Sequence, residues 1–156
     1  ENAVGVLTRS GLPAYLTRII CPAMNKAARY YSGLFFGGAI QVRFSIDEDG
    51  QVLIDVLNPG GGENLKDQSV GERRIIGLIT GFALREVAAK TNVLILDEPG
   101  NGLDPENAAA LAGGLMKMAD RYGTIIVTSH NPYLLEGLSG EILTVEKNDG
   151  GSSVVK

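Results

Sequence analysis

The stretch Val93-Leu94-Ile95-Leu96-Asp97-Glu98-Pro99 constrains the fold of this chain more than any other. A short unbroken apolar run suits a strand buried on both faces, as in the parallel sheets of α/β proteins. Two carboxylates follow at once, at the carboxyl end of the strand, where open α/β sheets bind their ligands. Acids there can hold a divalent cation and orient a water molecule. A core strand that ends in two solvated acids has the same sequence, so the run alone does not choose between these readings.

With 156 residues the chain is long enough to bury a real core, and its 44% hydrophobic and 21% charged content is that of a globular protein. The net charge of -4 provides no overall basic field for nucleic acid. A lone cysteine, Cys21, has no partner for an internal disulfide and reads as a core residue in a reducing compartment. No apolar run reaches membrane-spanning length and the start is not a signal peptide, so a cytoplasmic or nucleoid-associated location is expected. Opening on Glu1-Asn2-Ala3 without an initiator methionine, the sequence reads as a fragment.

Around the acidic strand the other elements follow in order. Leu12, Leu16, Ile19, Ile20, Ala23, Ala27, Tyr30, Tyr31 and Leu34 recur at helical steps and predict a helix with one buried face, which Pro22 should kink or divide. Ile40, Val42, Phe44 and Ile46, the polar turn Asp47-Glu48-Asp49-Gly50, then Val52, Ile54 and Val56 predict a β-hairpin with the same face buried throughout. The glycine-rich segment from Asn58 to Lys66 lacks a Gly-Lys-Ser/Thr ending and is expected to be a flexible linker rather than a phosphate loop.

Ser69 and Glu72 have the spacing of a capping box ahead of an apolar helix carrying Ile75, Leu78, Ile79, Phe82, Ala83 and Val87. A serine and Gly71 at a helix N-terminus also offer a hydroxyl and free amides to an anion. After the acidic strand, Asp104 and Pro105 read as the cap and first residue of a helix whose buried stripe is Leu111, Leu115, Met118 and Tyr122. Thr124 to Thr128 predicts a second buried strand, ending in Ser129 and His130, the sole histidine. Asn131-Pro132 opens a short helix, Glu141 to Lys147 a last strand, and Val154-Val155 an edge strand. The expected class is α/β, a mostly parallel sheet flanked by helices.

Ser69-Val70-Gly71-Glu72, then Asp97-Glu98, then Asn101 to Asp104, then His130 after the next strand could all gather at one sheet edge. In order and residue type they resemble the signature motif, Walker B strand, D-loop and switch histidine of an ABC-type ATPase head, covering Gln68 to Leu138. The Glu-Arg-Arg after the signature glycine and the preceding helix and hairpin are similar to the SMC-related, SbcC-like DNA-repair ATPases. The resemblance implies one domain over 1–156, the C-terminal lobe of a split head. Its parts would be 1–37, a helix following a coiled coil; 40–56, the hairpin; and 68–147, the motif core.

It further implies ATP and Mg²⁺ as ligands, with Asp97 on the metal through water, Glu98 orienting the attacking water, and His130 on the γ-phosphate. Ser69, Val70, Gly71 and Glu72, with Asn101 and Asp104, would close on ATP held by a second head, pairing two copies of the chain. The implied partners are an N-terminal lobe bearing the phosphate loop, a nuclease subunit and DNA, with no membrane. Arg73, Arg74, Lys117 and Arg121 are DNA contacts only if they cluster. Two departures stand out: Val70 replaces the usual glycine, and no phosphate-loop motif occurs in the chain. A transporter's nucleotide-binding subunit and a non-hydrolysing chromosome-tethering lobe stay open as alternatives.

Overall fold

The computed structural model describes residues 11–47, 49, 51–62, 64–88, 91–147 and 153–155. Helix α1, Gly11–Phe36, runs 26 residues and is not divided at Pro22. Its buried face differs from the expected stripe. Cys21, Met24, Ala27, Ala28, Tyr31 and Phe35 face the core, while Ile19, Ile20 and Tyr30 are exposed. At about 100° per residue, Ile19 and Tyr30 fall on the side of the helix away from Met24, Ala28 and Phe35. The side chains of Leu12 and Leu16 lie outside the described residues. Burial of Cys21 pushes its thiol above the usual range, the state of an inert core cysteine. The helix ends on Gly37 and Gly38, both at positive φ, with the Gly38 amide donating to Ser32 O at 3.0 Å, a glycine C-cap.

Strands β1, Gln41–Ile46, and β2, Val52–Leu57, pair antiparallel in the register Val42↔Val56 and Phe44↔Ile54. The turn residues 48 and 50 lie outside the described residues. Only part of the expected face is buried: Ile40, Val42, Phe44 and Val56 are covered, but Val52 and Ile54 are exposed. The reason is that β1 lies against α1 and β2 is the outer strand. The edge of β1 toward α1 is closed by Asn25, whose Nδ2 donates to Phe44 O at 2.9 Å and whose Oδ1 accepts from Phe44 N at 2.7 Å. The predicted linker is instead built around a buried Gln68. Its amide donates to Gly62 O and, at 3.2 Å, to Asn64 O, and it accepts from Asn58 Nδ2 at 2.7 Å.

Helix α2, Val70–Ala88, buries Ile75, Ile76, Ile79, Phe82 and Ala83. Phe82 stacks on Tyr31 of α1, with centroids 5.1 Å apart, and tilts against Phe35 at 4.9 Å. Helix α3, Pro105–Met118, closes this core with Leu111, Leu115 and Met118. Gly114 of α3 touches Phe35 so closely that a Cβ there would lie 2.1 Å from Phe35 Cδ1, which reserves the position for glycine. Where α1, α2 and α3 meet, Glu86 accepts from the Tyr31 hydroxyl at 2.9 Å and pairs with Arg121. Burial works to raise the Glu86 pKa, but the hydrogen bonds from Tyr31 and Arg121 outweigh it and hold the carboxyl below the usual range.

Strands β3, Val93–Asp97, and β4, Thr124–Thr128, form a parallel pair, with Ile95↔Ile126 and Asp97↔Thr128 in register. They are not buried on both faces. Leu94 is buried and Leu96, Ile125 and Val127 are partly so, while Val93, Ile95 and Ile126 on the opposite face are exposed, Ile95 to 67%. Among the described residues β3 pairs with β4 alone, and nothing covers that face. Helix α4, Pro132–Glu136, follows β4. The last predicted strand is shorter than expected: β5 is only Val145–Lys147, paired antiparallel with β6, Ser153–Val155.

Candidate functional site

At the end of β3 the Asp97 carboxylate accepts from the Thr128 hydroxyl across the ladder. Strand alternation puts both on the open face, beyond Ile95 and Ile126. Glu98 then leaves the strand at φ 46, a left-handed conformation that no other described non-glycine residue adopts. Its amide still donates to Thr128 O at 2.9 Å. Its carbonyl accepts from the Asn101 amide at 3.2 Å and from the Arg74 guanidinium of α2. Of its carboxylate, Oε1 lies 2.9 Å from His130 Nδ1, whereas Oε2 is buried without a partner. His130 is itself largely exposed, at 78% of its side chain, so the pair opens toward solvent.

The turn after Glu98 is held from two sides. Asn131 donates from Nδ2 to Gly100 O at 3.0 Å and caps α4 by accepting from the Tyr133 and Leu134 amides. Asp104 caps α3, accepting from Asn107 N at 2.9 Å and from its side-chain amide, and these hydrogen bonds lower its pKa. On the α2 side, Glu72 N donates to Ser69 Oγ at 3.2 Å and Ser69 N to Glu72 Oε2 at 2.7 Å, a reciprocal capping box. The Ser69 amide and the Asn58 side chain hold the Glu72 carboxyl below its ordinary range, so this glutamate is committed to the cap. Val70 is 67% exposed. Gly71 approaches the turn so closely that a Cβ would stand 3.2 Å from Gly102 O, and Gly102 has φ 77.

Asp97, Glu98 and His130 are therefore brought together, with Thr128 and Arg74 as members that sequence spacing did not single out for this site. Ser69, Val70, Gly71 and Glu72 form a second group that meets the first through the Asn101–Asp104 turn. No hydrogen bond among the described residues links Ser69 to Asp97, Glu98 or His130. Of the four basic candidates, Arg74 serves the Glu98 carbonyl and Arg121 pairs with Glu86 about 18 Å further along α2 at 1.5 Å per residue, so these two lie apart. No group of three or more His, Cys, Asp or Glu among the described residues forms a self-sufficient metal site, so Asp97 offers a cation a partial shell. No helix among the described residues is long and apolar enough to cross a membrane.

Residues 26–136 match the family model "AAA domain, putative AbiEii toxin, Type IV TA system". Among curated proteins, the chain is 34% identical over 107 residues to the energy-dependent translational throttle protein EttA of Haemophilus influenzae, spanning 68% of this chain and 18% of that protein. It is 35% identical over 97 residues to the cytochrome c biogenesis ATP-binding export protein CcmA of Idiomarina loihiensis, spanning 59% of this chain and 42% of that one. The chain thus covers less than half of either relative.

Among solved structures, one described as "Structural biochemistry of ATP-driven dimerization and DNA stimulated activation of SMC ATPases" superposes with a TM-score of 0.75 at 18% identity, over 92% of this chain and 88% of that one. The SMC head domain from Thermotoga maritima gives 0.62 at 22% identity, over 92% and 51%. The head bound to the C-winged helix domain of ScpA gives 0.69 at 17% identity, over 98% and 47%. With most of its length inside the family model, the chain belongs to the AAA-domain family, and its fold is that of an SMC-type ATPase head.

Proposed function

We propose that this chain is the C-terminal lobe of an ATP-hydrolysing head that pairs with a second copy across bound ATP and drives DNA repair with a nuclease partner. The observation that carries the ATPase reading is Glu98: one carboxylate oxygen is oriented by His130 and the other is buried with no protein partner. An unpartnered buried carboxylate oxygen is costly unless a ligand or water completes it. An attacking water is a ligand of the right size and polarity.

In this reading Asp97, steadied by Thr128, holds Mg²⁺ through its water shell. When bound, the ion neutralises charge on the phosphates. Glu98 orients the water and takes its proton; His130, exposed beside it, contacts the γ-phosphate. The phosphate-cradling loop that this sequence lacks comes from an N-terminal lobe, seated on the uncovered face of Val93, Ile95 and Ile126 that leads up to Asp97. An apolar sheet face left open beside a carboxylate site supports that seating. Ser69 and the Gly71 amide, at the N-terminus of α2, face the nucleotide of the opposing head, where the helix dipole favours phosphate. Glu72 acts there through its cap. Asn101, which is exposed, and Asp104, whose turn meets Gly71 at Gly102, would contact across the same interface.

The SMC-type fold and the solved neighbour whose title names ATP-driven dimerization support head pairing. Nuclease partnership and DNA rest on the SbcC-like motif order. Arg74 and Arg121, engaged with Glu98 and Glu86, add no support for DNA contact. A second reading, an ABC lobe working in transport or translation, is favoured by the identities to CcmA and EttA. A parent chain with long heptad repeats before Glu1 supports repair; a compact phosphate-loop half there supports the second reading.

The deciding experiment is Glu98→Gln in the complete head. Turnover is expected to fall by about 10²–10⁴-fold while ATP-dependent pairing persists or lengthens. Hydrolysis at the wild-type rate would remove Glu98 from the reaction.

A further inference from the structure

We infer that Arg74 is a positioning residue for Glu98: through the Glu98 main chain, it sets where the carboxylate stands and couples that placement to the first turns of α2. The inference rests on the ATPase reading above. Four observations carry it.

First, the Arg74 guanidinium donates to the Glu98 carbonyl, and the Asn101 amide reaches the same oxygen at 3.2 Å. The peptide that follows Glu98 is thus fixed by one donor from its own turn and one from a different helix. Second, Glu98 is the only described non-glycine residue at positive φ. An L-residue does not rest there unless its surroundings hold it. Third, strand alternation would send residue 98 to the face of Leu94 and Leu96, away from Asp97. The left-handed backbone instead accompanies a carboxylate that meets His130, 2.9 Å away. Fourth, Arg74 Nε is buried without a partner. A residue selected for stability alone would not leave a buried donor unmade. Its cost is consistent with a guanidinium placed for one contact.

Arg74 also lines the groove of about 480 Å³ between α2 and β3, together with Asp97 and Pro99. The same helix begins at Ser69 and Gly71, the turn proposed to face the opposing head's nucleotide. Among the described residues, Arg74 is the side chain of α2 that hydrogen-bonds the Glu98 main chain, so displacement of α2 transmits to Glu98. A lysine has a shorter reach to a carbonyl and one point of charge rather than a planar fork, so it replaces only part of the link.

The test uses the complete head with Arg74→Gln and Arg74→Lys, alone and combined with Glu98→Gln. Arg74→Gln is expected to lower kcat at least tenfold with KM for ATP changed less than about twofold, the pattern of a group acting in the transition state only. Arg74→Lys should recover part of that loss. In the Glu98→Gln background, Arg74→Gln should lower the residual rate no further, since both act through one carboxylate.

A second readout needs no turnover. His130 is the sole histidine of this chain, and its ring signals, isotope-labelled and assigned by His130→Gln, should move in Arg74→Gln in the direction they move in Glu98→Gln. An inert wild-type head would overturn the ATPase reading while the ring signals still decide whether Arg74 places the carboxylate. Unchanged ring signals, an unchanged kcat, or a loss fully additive with Glu98→Gln would overturn the inference.

Discussion

The two sides of this molecule are finished to different degrees. Between α1, α2 and α3 the described core groups are matched: Tyr31, Phe35 and Phe82 stack, Gly114 makes room for Phe35, and Glu86 is satisfied by Tyr31 and Arg121. Across β3 and β4, Val93, Ile95 and Ile126 lie open, and Arg74 Nε and Glu98 Oε2 are buried without partners. The chemistry-bearing residues stand on the second side only. A chain can complete its own core and still leave its site to be completed by something else.

Five outcomes would sharpen or break that contrast. The largest falls on the open side: Glu98→Gln should reduce ATP turnover of the complete head by about 10²–10⁴-fold, measured by phosphate release, with little change in melting temperature. On the packed side, Phe35→Ala should cost about 3–5 kcal/mol in denaturant unfolding, because it empties the centre of the aromatic stack. Gly114→Ala should cost about 1–3 kcal/mol, since the added methyl must displace the Phe35 ring. Asp104→Ala removes the α3 cap and should cost about 1 kcal/mol, read by the same unfolding curves. Smallest is Ile95→Ser: as the residue is already exposed, unfolding of the chain should change by less than about 0.5 kcal/mol. The same substitution should nonetheless weaken capture of the N-terminal lobe. A large stability loss from Ile95→Ser would show that this face is already covered.

Stability should also respond to acid through the packed side. Glu86 has a lowered pKa in the folded chain, so its contribution is fully present above the unfolded glutamate value of about 4.3. It is lost as pH falls through the lower folded value. Glu86→Gln should flatten that acid limb of the unfolding midpoint, and an unaltered limb would exclude the Tyr31–Glu86–Arg121 cluster as its source.

What the sequence made legible was local. The Ser69–Glu72 box, the Asp104–Pro105 cap and the Asn131 cap each depend on residues three apart or fewer, and each stands as its spacing required. The buried stripe Leu111, Leu115 and Met118 was equally plain, because one helix has one period; Tyr122, expected as its next position, is also buried but lies beyond the helix in extended backbone. Contacts made at a distance were not legible. Arg74 and Glu98 are 24 residues apart, and nothing in Glu-Arg-Arg says which arginine turns inward. Asn25 closing the edge of β1 and Gln68 gathering the glycine-rich loop were missed for the same reason.

The α1 stripe held only in part, at Ala27, Tyr31 and Leu34. Apolar residues are frequent enough there to fit more than one face, and the choice fell to Phe82 and Gly114 on neighbouring elements. Most instructive is Val93 to Leu96, whose unbroken apolar run predicted burial on both faces. Among the described residues one face stays open, in keeping with the second lobe proposed above.

The most direct test of the central claim, a site half-built here and completed by a second lobe, compares ATP hydrolysis by this chain alone with hydrolysis by the chain joined to a lobe carrying the phosphate loop. No turnover is expected from the chain alone, and turnover with ATP-dependent pairing is expected in the joined preparation. Turnover by the chain alone would contradict that claim.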